Sequence, residues 1–140
     1  MAYEPKTKKT TASVDAYLKK VAGGAERLDD CKTLVKIMQK ATGEKPAMWG
    51  TAIVGFGEYP IPYADGRSLD WPIAAFSPRK PAIVVYGLKA APKYATLIKK
   101  LGKHKVGGGC LYLKSLAGVD VKVLDELIST SVKAWKAKTE

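Results

Sequence analysis

Between Thr42-Gly43 and Pro92 the chain is interrupted by proline and glycine too often to hold a helix, whereas both flanks repeat apolar residues at helical spacing. Most short strands therefore fall in the middle of the chain and most helical pattern in its flanks. That segregation points to an α+β layer of helices on one sheet.

The flanks predict four helices. Ser13 is placed to cap a short helix from Val14 to about Val21, which Gly23-Gly24 breaks. A second helix runs from about Ala25 to Ala41, with Leu28, Cys31, Leu34, Val35 and Met38 forming one apolar stripe. Thr42-Gly43 ends it and Pro46 prevents a restart. Pro92 opens a third helix to Leu101, and Gly102 stops it. Asp120 caps the last helix, whose core face is Leu124, Leu127, Ile128, Val132 and Trp135.

The middle predicts strands at Thr51–Tyr59, Trp71–Phe76 and Ala82–Tyr86, with a fourth at Cys110–Lys114 after Gly107-Gly108-Gly109. The expected order is α-α-β-β-β-α-β-α. Short turns between consecutive strands favour antiparallel pairing. The expectation is thus a single α+β domain over residues 13–140, a four-stranded mainly antiparallel sheet packed with helices, after a flexible basic tail at residues 1–12. The 46% apolar content suits one globular core.

Charge is less evenly spread than the apolar residues. From Trp71 to Val119 there is no aspartate or glutamate, and nine lysines and arginines in those 49 residues carry +9 of the net +11. The rest nearly balances, with 15 basic and 13 acidic residues. A field of one sign attracts ligands of the other, so an anionic partner is expected. The densest cluster is Lys99, Lys100, Lys103, His104 and Lys105. Lys99 and Lys100 offset the helix dipole, but Lys103, His104 and Lys105 lie past the helix stop, in a loop that leads to three glycines. No Walker-type Gly-Lys-Ser/Thr follows.

Aromatics concentrate upstream, where Trp49, Phe56, Tyr59, Tyr63, Trp71 and Phe76 fall within 28 residues and are interleaved with Arg67, Arg79 and Lys80. Aromatic faces and guanidinium groups together suit a planar anion. The phenylalanines read as core, while Tyr59, Tyr63 and Trp71 border turns. The candidate ligand-binding residues are therefore Trp49, Tyr59, Tyr63, Arg67, Trp71, Arg79, Lys80, Lys103, His104 and Lys105.

Other chemistry finds little support. Glu26, Asp29 and Asp30 share one helical turn, where the dipole favours acids regardless of any metal. One histidine and two distant cysteines, Cys31 and Cys110, do not make a zinc site, and no catalytic residue or cofactor is assigned. The chain carries neither an apolar signal core nor a membrane-length run, so a cytoplasmic protein without a membrane partner is expected. Scattered lysines without a recognised module give a nucleic-acid partner only weak support.

Several segments taken together resemble a known family. They are Met48-Trp49-Gly50, Ile53-Val54-Gly55-Phe56-Gly57-x-Tyr59, Tyr63-x-x-Gly66-Arg67, Asp70-Trp71, Phe76-Ser77-Pro78-Arg79-Lys80, Leu101-Gly102-Lys103-His104-Lys105 and Cys110-Leu111-Tyr112. The run resembles the YdhG-like bacterial domains of unknown function, over about residues 13–137. One branch of that family is described as a frataxin-like iron chaperone. The resemblance implies an α+β fold and marks Arg67, Arg79, Lys80, Lys103, His104 and Lys105 as motif positions. It implies iron delivery for iron–sulfur assembly as the alternative function. The primary expectation is a small binding domain for a phosphate- or carboxylate-bearing ligand. An enzyme using His104 as acid or base ranks below both.

Overall fold

A computed structural model describes residues 13–21, 24–50, 53–62, 66, 68–79, 82–88, 91–107 and 110–139. Two helices come first, α1 (Val14–Val21) and α2 (Ala25–Thr42). Six strands follow: β1 (Pro46–Trp49), β2 (Ile53–Phe56), β3 (Tyr59–Pro62), β4 (Ser68–Trp71), β5 (Ala74–Pro78) and β6 (Ile83–Tyr86). Then come α3 (Tyr94–Lys100), β7 (Lys105–Gly107), β8 (Cys110–Leu113) and α4 (Val121–Thr139).

Capping chemistry sets the helix ends as expected. The Ser13 hydroxyl accepts the Ala16 N–H at 3.1 Å, and the Asp120 carboxylate accepts the Lys122 N–H at 3.0 Å. The Gly43 N–H closes α2 on the Gln39 carbonyl.

The sheet is larger than the expected four strands. Six strands lie in the order β1-β2-β5-β6-β8-β7, all antiparallel, and β3 and β4 form a separate two-stranded sheet. Four local features account for the difference. Pro46 begins β1 instead of merely ending α2. The expected strand Thr51–Tyr59 divides at Gly57, whose φ of 67° no strand residue adopts, and the expected strand Trp71–Phe76 divides around Pro72. β7 pairs with β8 where a loop was expected, so Lys105 belongs to a strand.

Strand alternation sorts the sheet's side chains into two faces. Val54, Phe56, Phe76, Ile83, Val85, Leu111 and Leu113 share the helix-covered face by register. They form one core with Leu34 and Met38 of α2 and with Leu124, Leu127, Ile128 and Val132 of α4. Each such side chain contributes about 1.5–3 kcal/mol on burial.

The opposite face carries the alternate residues. Ser77, Val84, Tyr112 and Lys105 form one row across four strands. Burial falls along that row, from 0% exposed at Ser77 and 5% at Val84 to 37% at Tyr112, with Lys105 exposed.

Cys31 lies in the core, and burial pushes its thiol up to about 11, against the smaller pull of the Arg27 guanidinium. An unfolded cysteine ionises near 8.5. Between those values the unfolded chain loses this proton and the folded chain keeps it, so the thiol favours unfolding as pH rises. Denaturation from pH 8 to pH 11 should show a stability loss on the order of 2 kcal/mol in the wild type relative to Cys31→Ala. Parallel pH profiles for the two proteins would contradict this.

A second expectation concerns Gly102. Its φ is 101°, and a Cβ there would collide with the Gly118 carbonyl oxygen. Gly102→Ala should lower the unfolding free energy by roughly 2 kcal/mol or more, read from the denaturant midpoint.

Candidate functional site

The α3–β7 connection and the segment before α4 are clamped backbone to backbone. The Lys103 N–H donates to the Gly118 carbonyl at 3.0 Å, and the Asp120 N–H donates to the Leu101 carbonyl at 2.7 Å. Gly102 and Val119 form an antiparallel bridge. Asp30 of α2 secures the same segment from below, accepting the Leu116 N–H at 3.2 Å.

This clamp borders a groove of about 710 Å³. Lys103, His104, Lys105, Tyr112 and Lys114 line it. Its remaining wall is small and weakly polar: Ala82, Ser115 and Ala117. Among the described residues no carboxylate lines it. Lys103 is held by its stem, since a Cβ on Gly118 would stand 3.1 Å from Lys103 Cδ. Lys105 and Tyr112 are register partners on adjacent strands.

His104 is oriented by its own loop. Its Nδ1 lies 2.7 Å from the Gly102 carbonyl oxygen. A carbonyl only accepts, so Nδ1 carries the proton and the neutral ring keeps a lone pair on Nε2. That nitrogen can accept a proton or, once protonated, donate to an anion. Two-bond nitrogen–proton correlation spectra of the neutral ring should show the Nδ1–H tautomer. The Nε2–H tautomer would contradict the assignment.

The sequence-derived candidates divide. Lys103, His104 and Lys105 do come together in the groove. Trp49 does not serve as a ligand contact. It is 2% exposed on the face away from the helices, where a Cβ on Gly55 would meet its Cδ1 at 2.5 Å. The missing side chain of Gly55 is what admits the indole, so Trp49 is a packing residue.

Arg79 is not part of the groove lining either. Its carbonyl accepts a hydrogen bond from the Arg27 guanidinium. Burial raises the Tyr17 phenol, the Cys31 thiol adds to that shift, and the nearby Arg79 guanidinium and a hydrogen bond to Ser77 oppose it. Arg79 therefore lies near Tyr17 of α1 and Arg27 of α2. Tyr59 and Trp71 face each other in the β3–β4 register, with side chains outside the description. Tyr63, Arg67 and Lys80 lie outside the described residues.

Of the residues expected to form a site between the aromatic–arginine turns and the lysine loop, the described structure brings together Lys103, His104 and Lys105, in a groove at the β7 edge. Tyr112 and Lys114 line the same groove and were not among the sequence-derived candidates. The available signal was alternation: Tyr112 sits between Leu111 and Leu113, so it faces away from the core.

Two further features limit the chemistry. No group of three or more histidine, cysteine or acidic residues among those described could hold a metal ion. Asp30, one of the three acids of α2, is engaged with Leu116. No helix among the described residues is long and apolar enough to cross a membrane.

Comparison with protein-family models, with curated proteins and with solved structures found no match.

Proposed function

We propose that this protein is a small binding domain for an anionic, phosphate- or carboxylate-bearing ligand, and that the ligand sits in the groove at the β7 edge. The convergence of Lys103, His104, Lys105 and Lys114 on one concavity without a lining carboxylate carries this reading. Like charges held together in a cleft concentrate counter-ions. The ammonium groups donate to oxyanions, and the clamp beneath them lowers the ordering cost of binding.

The lysines hold little of the fold, because exposed charges contribute under about 1 kcal/mol each. Lys103→Ala/Lys105→Ala should therefore melt close to the wild type. Binding of tripolyphosphate, measured by calorimetry, should weaken by roughly tenfold or more in that variant. Wild-type affinity should itself fall on raising the salt from low to physiological ionic strength. A folded double variant with unchanged tripolyphosphate affinity would overturn the reading.

A further inference from the structure

The groove is built for more than a bare oxyanion. Its volume of about 710 Å³ lies within the 300–1,000 Å³ range of small-molecule sites. Inorganic phosphate would leave most of it empty. Much of its wall is carbon: Ala82, Ala117, the Tyr112 ring and the lysine stems. Lys103 and His104 lie on the α3–β7 connection, Lys105 opens β7 beside Tyr112, and Lys114 lies just past β8.

Tyr112 is the unusual element. Only three large hydrophobic side chains among the described residues are exposed, and Tyr112 is the one that lines the groove. Its neighbour in the row on the β6 side is Val84, and on the β7 side Lys105. Its ring leans toward Gly107, with Cε2 at 3.7 Å from where a Cβ on that residue would stand. Gly107 has no side chain to cover the ring, so an aromatic surface stays open to the groove beside three ammonium groups. An exposed ring next to cations is the arrangement that stacks a planar base and pairs its phosphate.

Resting on the anion-binding reading above, we infer that the groove's ligand class is a phosphorylated nucleoside, with the base stacked on Tyr112 and the phosphate held by Lys103, Lys105 and Lys114. Free nucleotides and nucleotides within a single strand share this chemistry. With Nδ1 engaged on the Gly102 carbonyl, Nε2 is the His104 nitrogen left to meet the ligand.

The test compares AMP, ribose 5-phosphate and inorganic phosphate on the wild-type protein by calorimetry, with a five-nucleotide oligoadenylate as a fourth ligand. Ribose 5-phosphate has the same charge and sugar as AMP and lacks only the base. Base stacking predicts AMP binding about tenfold tighter than ribose 5-phosphate, within the 5- to 150-fold range of such contacts. Tyr112→Ala should remove that advantage and Tyr112→Phe should keep it, with ribose 5-phosphate binding alike to all three proteins. Equal affinity for AMP and ribose 5-phosphate in the wild type would overturn the nucleoside inference and leave the anion reading standing. If no phosphate ligand binds, both fall. An oligoadenylate that binds more tightly than AMP identifies the strand as the source of the nucleotide, and equal affinities identify the free nucleotide. Either result supports the inference.

Discussion

Leu111 and Leu113 enter the helix-covered core, and a strand places alternate side chains on opposite faces, so Tyr112 must face away from the helices. This one constraint fixes both the core and the groove. Antiparallel pairing on either side then sets the neighbours of Tyr112, Val84 from β6 and Lys105 from β7. A one-residue slip of β8 would expose both leucines, each contributing about 1.5–3 kcal/mol when buried. No surface charge in the groove could offset that loss, since such charges contribute under about 1 kcal/mol each. The apolar core thus determines the geometry of the polar site.

The second layer of the site is backbone. Gly102 lets the chain leave α3 against the Gly118 carbonyl, and the Lys103 N–H donates to that oxygen. Asp30 ties the far wall to α2 through Leu116. These contacts hold the base of the cationic cluster while leaving the lysine side chains free of structural duty. On the proposed reading, binding chemistry and folding stability fall to different groups, so exchanging the lysines is expected to leave the fold intact.

Much of the helical framework was legible in the residues. The spacing of Leu34, Met38, Leu124, Leu127, Ile128 and Val132 anticipates their burial, and Ser13 and Asp120 make the capping bonds that their side chains predict. The strands were less legible. Pro46 reads as a helix stop, yet it also opens an edge strand, the one sheet position where a missing N–H costs nothing. β7 has three residues, all exposed, so no apolar pattern marks it. Trp49 stands among the candidate ligand-binding aromatics, but Gly55 on the neighbouring strand opens a slot that buries it. That slot is a property of register, which adjacency along the chain does not encode.

Near-neighbour chemistry accounts for what the residues alone reveal: where helices start and stop, which residues form their apolar stripes, and that the Trp71–Val119 stretch carries only positive charge. Caps, periodicity and composition act over a few residues and need no knowledge of the fold. Which of those charges share one groove follows from the fold instead. Strand order β6-β8-β7 gathers Lys103, Lys105 and Lys114 around Tyr112, while Arg79, from the same acid-free stretch, is drawn toward Tyr17 and Arg27. Grouping of this kind follows from pairing between distant segments, and the burial of core side chains selects that pairing without reference to the charges it brings together.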